Sequence, residues 1–252
     1  MTDTTLKQHR GFIYSGVARG FVTVVLIGIM LLMLGTAYIW FSGGDGRASV
    51  PVAAPVLTLQ PDDTRTLFQI LPEESEVRFR INETLLGEPK TVVGATQHVA
   101  GDLLVDFDNP VNSQLGRIRV NVRTFTTDNE FRNRALRGQI LQADRAEFEF
   151  AEFAPTSLSG LPPSITTSET VSFEVTGNLS LHGVTRQLKL NLEVTPVSSN
   201  RLEGTATATV QYQDFDMTIP EAAGVANVSD EVQLEIDFTA LAVTAPPDKK
   251  NG

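Results

Sequence analysis

The 252-residue chain contains no cysteine. Disulfides, thiol nucleophiles and thiolate metal sites are therefore excluded, and the chain suits an oxidising exterior. Histidine is scarce: His9, His98 and His182 are the whole set. With no H-E-x-x-H spacing they give only a weak case for a metal site. No G-x-S-x-G elbow stands among the many serines, and no Gly-rich phosphate loop precedes a helix, so hydrolase and nucleotide chemistry lack their motifs. Tryptophan occurs once and tyrosine three times, against fourteen phenylalanines. Positive charge is also short. Thirty acidic residues face twenty basic ones, for a net charge of −10. Such a chain repels phosphate backbones, so nucleic acid is not expected as a partner.

Hydrophobic residues make up 41% and charged residues 20%, the balance of a folded domain rather than a disordered one. One run stands apart. From Phe21 to Phe41 no residue is charged. At a rise of 1.5 Å per residue, about 20 apolar residues cross a bilayer core. Tyr38, Trp40 and Phe41 close the run, where amphipathic rings favour the interface. A cleaved secretory signal is the alternative, but its apolar core runs about 7–15 residues and ends in small residues. An uncleaved transmembrane anchor over 21–41 is therefore expected. Lys7, Arg10 and Arg19 precede it against Asp3 alone, which puts residues 1–20 in the cytoplasm and the rest of the chain outside. With those four charges set aside, 17 basic and 29 acidic residues remain, a net of −12. That domain is not expected to lie flat on anionic headgroups.

Residues 42–64 are dominated by Gly, Pro, Ala and Ser and read as a flexible linker. Residues 245–252 read as a polar tail. Between them, residues 65–244 form a domain of alternating segments. In "EVRFRI", Val77, Phe79 and Ile81 share one face, with Arg78 and Arg80 on the other. In "GRIRVNVRT", Ile118, Val120 and Val122 oppose four polar residues. "EFEF", "VSFEVTGNLSL", "QLKLNLEV", "RLEGTATATVQY" and "EVQLEIDFTALAV" continue the series. About eight or nine period-two segments predict an antiparallel barrel or sandwich, wetted on its outer side. One helix interrupts them in "TTDNEFRNRALRGQILQAD". Thr127 and Glu130 have capping-box spacing, with Phe131, Leu136 and Ile140 on the inner side and the arginines outside. Gly138 predicts a short or broken helix.

The interior is either packed or hollow. In "RLEGTATATVQY" the apolar face reads Leu202, Gly204, Ala206, Ala208 and Val210, so three consecutive inner positions carry almost no volume. An eight-stranded barrel is just wide enough to be filled by side chains or to hold one small ligand. The small residues either line a lumen or lie opposite bulky Phe rings. Phe79, Phe148, Phe150, Phe173 and Phe238 all stand at inward-compatible positions. The candidate lumen lining is Phe79, Phe173, Leu181, Leu190, Ala206 and Ala208. A guest among such side chains is mostly apolar. Ten CH₂ groups contribute about 8 kcal/mol gross, and association removes several of these. A long lipid or isoprenoid tail meets that requirement better than a small polar metabolite.

The segments "RTFTTDNEFRNRALRGQILQADRAEFEFAE", "VTGNLSLHGVTRQLKLNLEV" and "QYQDFDM" resemble the YceI-like family in order and spacing. "GNLSLHGVTRQLKL" is the most specific of them, and the resemblance covers about Thr66 to Val243. It implies an all-β fold: an eight-stranded antiparallel lipocalin-like barrel with one short helix, here preceded by the N-terminal transmembrane helix. It also implies a long polyisoprenoid or quinone-like amphiphile in the lumen. The family pattern departs at Asn133, Ala135, Ile140 and Leu141, where an Asp, a His and an aromatic pair are usual.

Taken singly, the polar residues have ordinary readings. His182 with Gly183 fits a hairpin turn. Arg132, Arg134 and Arg137 fit a solvated helix face, with a head-group contact as the sharper reading. Asp214 and Asp216 bracket an inward Phe215 on a strand, and a glycosidase carboxylate pair lacks its sugar cleft. The expectation is a non-enzymatic, membrane-anchored, extracytoplasmic lipid-binding barrel, with an isoprenoid lipid or quinone as guest and no cofactor. The alternative is a solid-cored structural or protein-interaction module.

Overall fold

The structure is a computed structural model that describes residues 10–60 and 63–243, with residues 10–19 described as backbone only. The polar tail expected over 245–252, and most of the expected cytoplasmic N-terminus, lie outside the described residues.

Alternation makes each β segment a two-faced ribbon, and eight lines of strand pair in chain order. β1 runs in two segments, Thr66–Ile70 and Glu76–Leu85. They are parted by a 3₁₀ turn at Pro72–Glu74, where proline offers no N–H to a ladder. β2 comprises Glu88–Thr96, Val99–Ala100 and Asp102–Val105. β3 comprises Gln114–Leu115 and Ile118–Asn121. The unbroken strands are β4 (Phe150–Ser159), β5 (Val171–Leu181), β6 (Val184–Ser198), β7 (Arg201–Gln211) and β8 (Glu231–Ala242). Each pairs antiparallel with the next. β8 returns to both segments of β1, with Phe68 opposite Ala242 and Phe79 opposite Leu234, which closes the ring. The expected eight-stranded antiparallel barrel is what the ladders build.

Two hairpins need left-handed backbone at both central positions. Leu86 and Gly87 have φ of 52° and 91°, and His182 and Gly183 have 52° and 77°. This is the two-residue turn whose twist matches the strands it joins, so the "HGVT" segment folds as its sequence predicts.

The barrel has two unlike ends. At one lie the hairpins at Leu86 and His182, the β7–β8 connection and the helical β3–β4 connection. At the other lie the 106–113 and 160–170 loops and the Ser199–Asn200 turn. The helical connection closes the first end. α1 is the long N-terminal helix Arg10–Ser42, and α2 (Glu130–Ala135) passes into a π turn at Leu136–Ile140. Asn129, not Thr127, caps α2: its side chain accepts from the Arg132 N–H at 3.0 Å. Thr127 donates instead to Asn133 at 2.7 Å. The π turn breaks the 3.6-residue period. Phe131 is therefore left 38% exposed rather than inward, while Leu136 and Leu141 fill the barrel end.

Further expectations are corrected. Arg137 is 2% exposed, covered by the chain at Gly43–Gly46, rather than part of a wet helix face. "EFEF" is out of phase. Phe148 belongs to a 3₁₀ turn and Phe150 lies beneath the Arg119 guanidinium, 4.0 Å from its ring, because Ala151 and Phe153 take the inward positions of β4. "QDFD" is not strand but a 3₁₀ turn, Tyr212–Phe215, with Asp216 left-handed and Phe215 buried.

The stretch expected as a flexible linker is hydrogen-bonded along the barrel wall. Backbone N–H groups are donors in any composition, and two of them meet buried carboxylates. Ser49 N–H donates to Glu149 at 2.8 Å and its hydroxyl donates to the second oxygen of the same carboxylate. Leu57 N–H donates to Asp102 at 3.1 Å, and Arg119 donates to the Ala53 carbonyl at 3.4 Å. The segment thus runs outside β3 from the helical end to the other.

Candidate functional site

Residues opposite one another in adjacent antiparallel strands share a face. The registers place Phe79, Leu234, Ala208, Leu190 and Val175 in one interior layer, and Val77, Ile236, Ala206, Leu192 and Phe173 in the next. Leu181 lies on the same face near the helical end. All six candidate lining residues are therefore inward. Leu190 and Ala206 are buried, and Phe79, Phe173, Leu181 and Ala208 are half-buried against the core.

The middle of the barrel is packed, and the glycines show how. A methyl group built on Gly94 would overlap the Phe79 ring, and one on Gly177 would overlap the Phe153 ring. One on Gly204 would lie 2.8 Å from Phe238. Each missing side chain is the seat of a Phe ring from a neighbouring strand. The small wall at Gly204 is thus occupied, not hollow. Phe79 also meets Phe125 edge-on, with centroids 5.3 Å apart at 74°. Beyond them, Leu136, Leu141, Phe215 and Met217 complete the closure of the helical end. His182 belongs to that closure. Its Nδ1 donates to the Phe215 carbonyl at 3.1 Å and its ring lies 4.8 Å from Phe148.

Open space remains at the opposite end. A cleft of about 50 Å³ lies between the ends of β2, β5, β6 and β7 and the 160–170 loop. Its wall is hydrocarbon except for Ser113 and Gln114, and no charged side chain lines it. Of the six candidates only Phe173 reaches this cleft; Phe79, Leu181, Leu190, Ala206 and Ala208 lie deeper. The principal walls that sequence reasoning missed are Leu103, Leu115, Leu158, Leu161 and Ile165. Leu161 and Ile165 carried a signal, being isolated apolar residues in the polar run "GLPPSITTSET". That loop is held by few backbone bonds. Ile165 N–H donates to Phe107 at 2.8 Å and Ser168 N–H donates to Pro196 at 2.7 Å.

Charge is kept out of the cleft and lies on the outer face and at the sealed end, where Arg132 pairs with the buried Glu83 at 2.9 Å. Arg78 donates to Glu76 at 2.6 Å and also pairs with Glu235 and Asp237 across the outer face of β8. At the wall, burial pushes the Glu149 carboxyl up. The hydrogen bonds from Ser49 and Asn121 and the Arg123 charge outweigh it and hold the group below its ordinary pKa.

The YceI-like domain model matches residues 68–240. The chain belongs to the YceI-like family. Among solved structures it is similar to BcnA of Burkholderia cenocepacia, with 16% identity and a TM-score of 0.52, covering 68% of this chain and 98% of that one. It is also similar to a polyisoprenoid-binding domain from Saccharophagus degradans implicated in plant cell wall breakdown. There the identity is 15% and the TM-score 0.53, over 70% of this chain and 98% of that one. At these identities the likeness is one of fold. No curated protein sequence matches the chain significantly.

Proposed function

We propose that this YceI-like barrel is a membrane-anchored, extracytoplasmic binding protein that holds the tail of an isoprenoid-type lipid or quinone and carries out no chemistry on it. The supporting observation is the uncharged hydrocarbon cleft at one end of a barrel whose other end is sealed. The fold neighbour from Saccharophagus degradans, described as polyisoprenoid-binding, points the same way. For anchoring, the support is Gly20–Ser42, long and apolar enough to cross a membrane and not buried by the barrel.

At about 50 Å³ the cleft has a third of the volume of a roughly 150 Å³ cavity that takes one benzene. Uptake of a chain therefore requires the 160–170 loop to lift Leu161 and Ile165 away from Phe173. The test is native mass spectrometry of the full chain purified in mild detergent, before and after incubation with a long-chain polyprenol. The expected result is a bound lipid, or uptake of the polyprenol. No adduct in either sample refutes the reading. The ring-over-glycine packing of the centre favours a second reading, a solid-cored interaction module, and that negative outcome supports it.

A further inference from the structure

α1 does not simply trail from the barrel. Among the residues whose side chains are described, it touches the barrel only at its C-terminal end, and there it is clasped. Residues 20–36 are exposed, whereas Gly43 is buried. A methyl group on Gly43 would overlap the Arg134 backbone, and one on Gly138 would lie 2.8 Å from the Ser42 carbonyl. Two glycines, one on each side, allow the two backbones to meet. The Arg134 guanidinium stacks on the Trp40 ring at 3.9 Å and donates to the Trp40 carbonyl at 2.7 Å. Arg137, buried beneath the chain, donates to the Gly43 carbonyl at 2.8 Å.

All of these partners lie in α2 and its π turn, at the sealed end of the barrel. Trp40 stands in the aromatic group that ends the apolar run, and such rings settle at the membrane–water interface. A residue stacked on Trp40 is therefore within a few ångströms of that plane. The apolar cleft lies at the other end. β5 has 11 residues. At about 3.3 Å per residue and a tilt near 40°, the cleft stands roughly 25–30 Å further out.

Given the membrane anchor proposed above, we infer that the barrel stands on its helix-sealed end. Its cleft opens away from the anchoring bilayer, so that bilayer is not the surface with which the cleft exchanges its guest. The strap over residues 49–57, bonded to Glu149 and Asp102 along the wall, holds the same posture.

Because the chain has no cysteine, single labels are readily placed. The full chain carrying Glu88→Cys (sealed end) or Ser199→Cys (cleft end) is labelled with a donor dye and reconstituted in phosphatidylcholine vesicles that carry headgroup-linked acceptors. The expected result is strong energy transfer at Glu88→Cys and several-fold weaker transfer at Ser199→Cys. Equal or reversed transfer in protein that floats with the vesicles overturns the orientation alone. Protein that does not float refutes the anchor, and this inference with it. Adding Gly43→Leu and Arg134→Ala, which break the clasp, together with Glu149→Gln, which frees the strap, should erase the difference, with flotation and the far-UV spectrum unchanged. A difference that survives them overturns the clasp and the strap as its cause.

Discussion

The seating of Phe79 on Gly94 can be tested as a double-mutant cycle. In Gly94→Ala the three atoms nearest the new methyl group all belong to the Phe79 ring, so that ring takes the clash. That ring is held by Phe125 at its edge and by the opposing Leu234 beside it, so it cannot swing away without leaving its packing. Overpacking of this kind costs about 1–3 kcal/mol, against which removing a strand glycine returns roughly 0.5–1 kcal/mol. The net loss for Gly94→Ala is thus about 1–2 kcal/mol. Phe79→Ala alone leaves a cavity over the glycine, at a cost of about 3 kcal/mol for a ring that is half-buried. In the double variant the alanine methyl group enters space the ring has vacated. The clash disappears and the cavity shrinks, so the double variant should be more stable than the sum by at least about 1 kcal/mol, the size expected for residues in direct contact. Urea unfolding of the full chain in detergent, followed by far-UV circular dichroism, measures all three differences. Additivity within about 0.5 kcal/mol, or a neutral Gly94→Ala, refutes the seating of the ring.

Other outcomes follow from the same geometry. Glu149 has its pKa lowered in the fold, so its contribution is fully present above the ordinary value of about 4.3 and is lost as pH falls through the lower folded value. A spin label at Arg47→Cys should therefore be restrained at neutral pH and mobile in acid; Glu149→Gln should free it at every pH, and a label insensitive to both refutes the strap. Ala206→Phe puts a ring between Leu192 and Ile236 in the packed centre and should cost about 1–3 kcal/mol by overpacking, read by urea unfolding; a neutral substitution refutes the packed centre. Arg78→Ala leaves Glu235 and Asp237 facing each other without their shared cation, and a loss of about 1–2 kcal/mol in low salt, smaller in high salt, is expected from thermal unfolding.

Much of the barrel was legible because period-two alternation is local. Val77, Phe79 and Ile81, or Leu188, Leu190 and Leu192, declare their face without reference to any partner. The His182–Gly183 turn was legible for the same reason. What could not be read depends on partners far along the chain. Gly204 looks like a hole until Phe238, on β8, is known to cover it. Phe148 and Phe150 alternate correctly but belong to a turn and to the outer face, because the strand phase is set by Ala151 and Phe153 against β3. The stretch from Ser42 to Gln60 has the composition of a tether. Its attachment uses backbone donors, which leave no mark in composition, and the acceptors Glu149 and Asp102 lie 100 and 45 residues away. All six candidate lining residues face inward. Which of them meets open space was decided by a loop whose docking carries no periodicity.

The small volume of the cleft also constrains which guest can be held. Lifting Leu161 and Ile165, both half-buried, returns about 2–3 kcal/mol of apolar burial to water. Ten buried CH₂ groups supply about 8 kcal/mol gross, and association itself costs about 4 kcal/mol or more. A ten-carbon tail therefore barely breaks even against the closed loop. Twenty carbons supply about 16 kcal/mol and exceed the same fixed cost by a wide margin. Affinity for a series of prenols should accordingly show a threshold, with no measurable binding at two isoprene units and tight binding at four or more. Leu161→Ala, which lowers the cost of lifting the loop, should move the threshold toward shorter chains. Isothermal titration of the full chain in detergent, with prenols of increasing length, reads this directly. Binding of the two-unit prenol as tightly as the longest would refute the closed loop as the barrier to entry.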